Sequence, residues 1–315
     1  MMEFYFSAEE LLSHPEVVKK KGVTELEISD KSILESKEKL LALFKAFSQE
    51  ADDVLLKLKL DISLIDRKFV DECAKTYCCL MFDFKSSYLE ENRKFFRKKI
   101  NILNEAGLVF GFFVDSADFA TMKKFKLSLD EIVSYYPNHI YIQNENLHPT
   151  DKLSTQDIKS IQNLSFALET FYTYGRAVPW FMAVVQSLRV KPNNLISDFA
   201  EWQTCNNCSF TTSFLPESAS FLEIEKMQLS FLHLKYDEKH LNHIFVAADN
   251  LIRLHAALSE CDSSKSETKL SLSYNPEDLL SPYAMDLQSF VDEVCMEMCE
   301  VKVFESENGA DFRIL

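Results

Sequence analysis

Five acidic residues lie at or just after the ends of strand-like segments, and they are the first candidates for chemistry. In parallel β/α barrels the carboxyl ends of the strands form one rim, where the functional groups lie. A ring of carboxylates on that rim could bind a cation or an amine, or could work as acid and base. The simpler alternative is that each acid caps the helix that follows it. The five are Asp30, Asp61, Asp83, Asp115 and Glu145.

Two close pairs of cysteines are the second candidate. Cys205 and Cys208 form a CxxC motif, and Cys295 and Cys299 form a CxxxC motif. Four thiolates could hold zinc or an iron–sulfur cluster, provided that the fold brings the two pairs together. The long separation between the pairs favours the alternative, in which these cysteines are incidental thiols that pack as small apolar residues.

The acidic residues belong to a pattern in which strands alternate with helices, as parallel βαβ units require. A short apolar run, Glu3–Phe6, predicts a first strand, and Ser7 with Glu10 predicts a capping box that opens a helix directly after it. Ser128 and Glu131 predict a second capping box. The later strands are predicted at 22–30, 54–61, 78–84, 108–115 and 138–145, with helices at 66–76, 89–106 and 128–135.

Two of these strands carry charge on alternate residues. Glu25 and Glu27 would face one side of the sheet, and Lys57 and Lys59 would share that side on the neighbouring strand. We expect the lysines to pair with the glutamates across the strands. The pattern indicates either a barrel with a hydrated interior or two strands near an open edge, and the sequence leaves both open.

These observations predict an α/β fold: a full or partial parallel (β/α) TIM-like barrel, then a helical region and a small α+β C-terminal part. The predicted boundaries are 1–150 for the barrel, 151–260 for the helical region, which includes one long helical segment at 221–260, and 261–315 for the tail. The tail is expected to end in a hairpin that turns on Asn308–Gly309.

Composition limits the classes of partner. The net charge is −15 and no basic stretch stands out against it, which argues against nucleic acid. The N-terminus lacks the apolar core of a secretory signal, and no apolar run is long enough to span a bilayer. Eight cysteines without regular spacing are typical of a reduced, cytoplasmic protein. The five glycines form no GxGxxG or P-loop motif, which excludes nucleotide sites of the Rossmann or Walker type. The expected ligand is a small molecule or a partner protein.

Several phrases of the sequence resemble one known superfamily. GVTELEISD at 22–30, LNEAGLVFG at 103–111 and YPNHIYIQ at 136–143 resemble the barrel of bacterial radical SAM proteins, especially those joined to a cobalamin-binding domain. GRAVPWF at 175–181 and DFAEWQ at 198–203 fit the helical region that follows their barrel. The resemblance implies S-adenosylmethionine as a ligand, with Asp30 at the position where such barrels place a polar group near it.

The resemblance also implies a [4Fe–4S] cluster, held by a CxxxCxxC loop after the first strand. This sequence has no cysteine before Cys73, so the cluster ligands are absent at the expected position. The glycine pair that is common near S-adenosylmethionine in these barrels is absent as well.

We therefore expect a radical-SAM-like barrel protein without the cluster-binding loop, repurposed or non-catalytic, that binds a small molecule or a partner. The complete cap at Ser7 and the predicted first strand favour this interpretation. The alternative is a radical SAM enzyme whose cluster is supplied by the other cysteines or by a segment that precedes Met1. A third possibility is an unrelated barrel enzyme, which would bind a divalent ion at Asp30, Asp61 or Asp115.

Overall fold

A computed structural model describes residues 6–307 and 309–315. Of the predicted strand Glu3–Phe6, only Phe6 lies within these ranges. Asn308, predicted in the hairpin turn, lies outside them. The chain divides into two compact units. Unit 1 comprises Met1–Ala120 and Glu131–Leu147, and unit 2 comprises Thr121–Asp130 and His148–Leu315. Within the described ranges, every helix is too short or too polar to span a membrane.

Unit 1 contains a five-stranded sheet in which every strand is parallel to its neighbours. The strands lie in chain order, β1-β2-β3-β4-β5, which confirms the predicted α/β pattern. They are β1 (Glu25–Ile28), β2 (Leu55–Leu60), β3 (Cys78–Phe84), β4 (Val109–Asp115) and β5 (His139–Gln143).

Short and medium-length helices connect these strands. The predicted capping box at Ser7 and Glu10 is present, and the Ser7 N–H donates to the Glu10 carboxylate at 2.8 Å. The predicted box at Ser128 and Glu131 is wrong, because the eighth helix starts earlier and is capped by the Thr121 hydroxyl, which accepts from the Lys124 N–H at 3.2 Å. The helices are α1 (Ala8–Ser13), α2 (Glu16–Lys20), α3 (Lys31–Leu34), α4 (Lys37–Glu50), α5 (Arg67–Cys73), α6 (Ser86–Glu90), α7 (Arg93–Glu105) and α8 (Met122–Val133).

The two faces of this sheet differ in chemistry. Strands that follow chain order with right-handed crossovers place all the connecting helices on one face. On that face Phe84 and Phe112 contact Phe96 of α7, with ring centroids 5.5 and 5.7 Å apart. The opposite face carries the alternating charges of β1 and β2. The sheet does not close within the described residues, since β1 and β5 are its two edges, so a closed barrel is not present there.

Gly111 lies in β4 on the charged face, where its neighbours leave no room for a side chain. A Cβ atom there would lie 2.7 Å from the Cβ and carbonyl oxygen of His139 on β5, and 2.8 Å from the Met81 sulfur on β3. Both β3 and β5 pair with β4 at this position. The glycine therefore permits normal spacing of three adjacent strands.

We expect Gly111→Ala to lower the free energy of unfolding by about 1–3 kcal/mol, because two backbone-linked contacts must shift to admit one methyl group. Denaturant unfolding followed by circular dichroism measures this change. Val109→Ala is the matched control, since Val109 is exposed on the same strand and its truncation should cost less than about 0.5 kcal/mol. Equal losses in the two variants would contradict the steric account.

Unit 2 is helical, with one small sheet. Helix α9 continues into a single π-helical turn at Glu169–Tyr174, and the Gln228 side chain donates to the carbonyl oxygens of Phe171 and Gly175 at 2.7 and 2.9 Å. Those bonds satisfy carbonyl groups that the widened turn leaves available. The helices are α9 (Thr155–Leu168), α10 (Phe181–Ser187), α11 (Pro192–Cys205), α12 (Phe221–Glu238), α13 (Asn242–Ser264), α14 (Pro276–Leu279) and α15 (Leu287–Glu293).

The segment 221–260 is helical, as predicted, but it forms two helices and not one continuous helix. The chain breaks between α12 and α13, where His240 has a left-handed backbone with φ of 58° and the Leu241 N–H donates to the Tyr236 carbonyl. The two helices pack against each other. A left-handed residue reverses the chain at low cost only in a turn, so the apolar pattern alone could not reveal this break.

The C-terminal strands form an antiparallel sheet in the order β6-β7-β8. Strands β7 and β8 make the predicted hairpin, and Gly309 in its turn has φ of 104°, which only glycine adopts readily. The strands are β6 (Thr268–Leu272), β7 (Cys299–Ser306) and β8 (Gly309–Ile314).

Candidate functional site

A cleft of about 740 Å³ lies at the carboxyl ends of β1, β2 and β3 in unit 1. This is the end of a parallel sheet at which ligands usually bind. Its polar lining residues come from the three strand ends and from the first turns that follow them. They are Glu27, Ser29, Lys31, Glu35, Lys59, Asp61, Ser63, Asp83, Lys85 and Tyr88.

The period of the strands explains why charged groups reach this cleft. Successive strand residues point to opposite faces, so Leu58 and Leu60 are buried under the helices while Lys59 points to the other face. Asp83 follows the same rule on β3, between the buried Phe82 and Phe84. Because the apolar residues of each strand face the core, the charged residues that alternate with them face the cleft.

Ion pairs cross the charged face of the sheet. Lys57 pairs with Glu25 at 2.6 Å, which confirms the predicted partner. Lys59 pairs with Asp83 at 2.8 Å instead of with Glu27. Strand β1 ends opposite Leu58, so Lys59 has no strand residue beside it on that side and turns toward β3. Its ammonium also lies 5.1 Å from the centre of the Phe113 ring.

Three of the five predicted acids act as helix caps. Asp30 accepts from the Ser32 N–H at 2.8 Å, Asp61 from the Ser63 N–H at 2.8 Å, and Asp115 from the Ala117 N–H at 2.9 Å. Hydrogen bonds from Ser32 lower the pKa of Asp30, and those from Ser63 lower the pKa of Asp61. Asp30 and Asp61 are therefore ionised, and all three carboxylates are already partly occupied by the backbone.

The five acids do not all reach the same place. Asp61 and Asp83 line the cleft. Asp30 lies two residues after the end of β1 but is not among the lining residues. Asp115 instead accepts from the Asn146 side chain at 3.1 Å. Glu145 is exposed in the loop after β5. The rim of five carboxylates therefore reduces to two acids that face the cleft, and the role of the others stays a prediction.

Five charged residues of the cleft lack an ion-pair partner within 6–307 and 309–315: Glu27, Lys31, Glu35, Asp61 and Lys85. Asp61 already accepts a cap hydrogen bond from the Ser63 N–H. The other four are two acids and two bases, so together they match a ligand that carries both a positive and a negative group. An unpaired charge beside a cleft is hydrated when the cleft is empty and can exchange that water for a ligand.

Tyr88 adds a neutral hydroxyl to the same cleft. Burial, together with the nearby charges of Asp61 and Asp83, raises the pKa of Tyr88, so its hydroxyl stays protonated at neutral pH. The ring is held by Phe96, against which it stacks at a centroid distance of 4.9 Å. This hydroxyl is positioned to donate a hydrogen bond.

Lys31, Glu35, Lys85 and Tyr88 were not predicted from the sequence. Lys31 lies three residues after the end of β1 and Lys85 one residue after the end of β3, so a strand-end rule that had included bases and the following turn would have found them. Glu35 and Tyr88 lie further along, after α3 and in α6. Their position depends on the direction of these short helices, which the sequence does not give.

The predicted cysteine site is not assembled in the described part of the chain. Cys205 and Cys295 are exposed, whereas Cys208 and Cys299 are buried. Within the same ranges no group of three or more His, Cys, Asp or Glu residues is arranged to hold a metal ion. Metal binding by these four cysteines stays a prediction.

Unit 1 contains three buried cysteines, Cys73, Cys78 and Cys79, and two of them form a pair far from the cleft. The sulfurs of Cys73 and Cys78 are 3.1 Å apart. Their mutual hydrogen bond and burial raise the pKa of the Cys73 thiol, so it is not a ready thiolate ligand. Cys78 begins β3 and the cleft lies at the other end of that strand, about 20 Å away at about 3.3 Å per residue.

Several solved structures are similar to part of this chain, and two of them are of the same protein. Both are of a radical S-adenosylmethionine methyltransferase, TsrM, from Kitasatospora setae: one with cobalamin and a [4Fe–4S] cluster, the other with tryptophan substrate and the analogue aza-SAM. The TM-score is 0.35 in each case, with 14% and 13% identity. The match covers 44% of this chain and 30% of the other.

TsrM is a member of the superfamily that the sequence phrases resemble. No family model matches the sequence, and no curated protein matches it. A TM-score of this size carries no argument about chemistry, so the functional proposal below rests on the residues of the cleft.

Proposed function

We propose that unit 1 is a partial (β/α) barrel that binds a small zwitterionic molecule of the S-adenosylmethionine class in the cleft at the ends of β1, β2 and β3. The observation that carries this proposal is the set of two acids and two bases around one cleft, Glu27, Glu35, Lys31 and Lys85, whose side chains have neither an ion-pair partner nor a cap hydrogen bond among the described residues. In this proposal unit 1 binds the ligand but does not carry out the [4Fe–4S] chemistry of the superfamily that it resembles.

The charges of the cleft fit the amino-acid end of such a ligand. Lys31 and Lys85 would hold its carboxylate, because an ammonium donates strong hydrogen bonds to an anion. Glu27 and Glu35 would hold its amino group. The Tyr88 hydroxyl would add one directed hydrogen bond. When bound, S-adenosylmethionine could supply a methyl group or an adenosyl group, and this chain's residues would bind and orient it.

The residues of this chain do not fit the [4Fe–4S] cluster that the resemblance implies. Such a cluster needs three thiolates beside the ligand, on one loop at the carboxyl end of the sheet. The cysteines of unit 1 are Cys73, Cys78 and Cys79, all buried and at the opposite end of β3. We therefore propose no step through a cluster held by unit 1.

A pair of matched ligands tests the proposal. S-Adenosylhomocysteine and 5′-methylthioadenosine share the adenosine and a neutral thioether sulfur, but only the first has the amino-acid end of S-adenosylmethionine. We expect isothermal titration calorimetry to show at least about tenfold tighter binding of S-adenosylhomocysteine, because the cleft recognises the ammonium and carboxylate groups that the other lacks. Equal affinity for the two ligands, or binding of neither, would contradict the proposal.

A further inference from the structure

A second cavity, of about 440 Å³, lies in unit 2 between the N-terminal half of α8 and the start of α11. Three lysines and two asparagines line it, together with the apolar Met122 and Leu127. We call it the lysine groove; its polar residues are Lys123, Lys126, Lys191, Asn193 and Asn194. We propose that the lysine groove binds a phosphate ester of a hydroxyl-bearing small molecule, such as a sugar phosphate or a nucleotide.

The positive charge of the groove indicates that its ligand is an anion. None of Lys123, Lys126 and Lys191 has an ion-pair partner within the residues that the structure describes, although the chain as a whole carries a net charge of −15. In so acidic a protein, neighbouring acids would ordinarily neutralise lysines. Three ammonium groups around one concavity instead create a local positive potential, which attracts a multiply charged anion.

The walls of the groove are fixed to each other by two hydrogen bonds that Asn193 donates to Asp130. The Asn193 N–H donates to one carboxylate oxygen of Asp130 on α8 at 2.8 Å, and the Asn193 side-chain amide donates to the other. The Asn194 N–H donates to the Lys191 carbonyl at 3.0 Å. The backbone donors at the start of α11 are therefore already used, and recognition depends on the lysine side chains and the Asn194 amide.

A smaller cavity of about 190 Å³ adjoins the groove, since Met122 and Lys126 line both. Ser160 and Ser197 line it and donate their hydroxyl hydrogens to their own helices, to Gln156 O at 2.9 Å and to Asn193 O at 2.7 Å. Their remaining lone pairs can only accept. This cavity therefore favours a ligand part that donates hydrogen bonds.

Glu201 and Asn163 complete the lining of the smaller cavity. A carboxylate there repels a second anionic group and accepts from hydroxyl or amino groups. The two cavities together thus match a molecule with phosphate at one end and hydroxyl or amino donors at the other. Because the lysine groove lies within unit 2, this inference stands independently of the proposed cleft in unit 1.

Binding of simple phosphates tests the inference. We expect the full chain to bind ribose 5-phosphate in calorimetry at low ionic strength, more tightly than it binds inorganic phosphate. The double variant Lys126→Gln with Lys191→Gln should weaken ribose 5-phosphate binding by on the order of tenfold or more, through loss of two charge-assisted hydrogen bonds. The matched control is Lys159→Gln, an exposed lysine of α9 outside both cavities, which should bind as the parent does.

Each outcome bears on the inference. Loss of binding in the groove variant alone, with unchanged thermal unfolding, supports it. The inference is overturned if the parent binds neither phosphate. It is also overturned if Lys159→Gln weakens ribose 5-phosphate binding as much as the groove variant does, because the attraction would then be a general effect of surface charge. Vesicles with and without phosphatidic acid distinguish the two sources of a phosphate ester. If the vesicles retain the protein, and retention requires the groove lysines, the ligand is a lipid headgroup. If they do not retain the protein, the ligand is a free phosphate ester. Preference for a polyglutamate peptide over both phosphates would also overturn the inference.

Discussion

Replacing Glu27 with Gln, or Lys31 with Met, is expected to weaken binding of S-adenosylmethionine by on the order of tenfold each, because each change removes one charge-assisted hydrogen bond. The two changes act on opposite charges of the ligand, so together they should cost about a hundredfold. Neither side chain has an ion-pair partner in the parts of the chain that the structure describes, so stability should change little. Calorimetric titration of each variant measures the effect.

Glu25→Gln is the control for this experiment. Glu25 lies two residues before Glu27 on the same strand and face, but it pairs with Lys57 and does not line the cleft. Its replacement should leave the affinity within about twofold of the parent, as expected for a surface pair of small energy. If Glu25→Gln weakens binding as much as Glu27→Gln, the general charge of the face is responsible and the cleft is not.

Lowering the pH from about 6.5 to about 4 is expected to destabilise the protein through His255, a half-buried residue of α13. Burial lowers the pKa of His255 to about 4, below its ordinary value of about 6.5. Between these two values the unfolded chain binds the proton and the folded chain does not, so acid favours unfolding. At about 1.4 kcal/mol for each pKa unit, and with some allowance for partial exposure, the loss amounts to about 2–3 kcal/mol.

Urea unfolding of the parent and of His255→Gln at several pH values checks this prediction. The difference in unfolding free energy between the two should be constant above pH of about 7 and should shift in favour of the variant as the pH falls toward about 4. His243→Gln, at an exposed position at the start of the same helix, should keep the parent's pH dependence. A parent and a His255→Gln variant with parallel curves would contradict the prediction.

The sequence was sufficient for the order of the elements in unit 1 because each strand carries its own pattern. The alternation of Lys57 and Lys59 with leucines marks both the strand and its polar face, and the pairing of Lys57 with Glu25 follows from strand neighbourhood. Ser7 marks its helix start through a local bond that needs no tertiary context. Such features are encoded within a few residues.

Features that depend on distant neighbours were missed. Lys59 was expected to pair with the glutamates of β1, yet its partner is Asp83, because β1 ends before it reaches Lys59 on β2. Closure of the barrel depends on the pairing of the first and last strands, which no local pattern encodes. The start of α8 was misplaced because two competing caps, Thr121 and Ser128, occur in one segment and only packing selects between them.

The strand order of unit 1 has a consequence for how the chain is synthesised. Every strand of its sheet pairs with the one that follows it, with only a helical connection between them, so each pairing closes a short loop. The sheet can therefore grow one strand at a time as the chain leaves the ribosome. At every stage the newest strand pairs with its predecessor on one side only. Its other side is an open edge with free backbone donors and acceptors until the next strand arrives. The interval most exposed to wrong pairing thus follows β3, the most apolar strand, whose next partner must wait for the long helix α7.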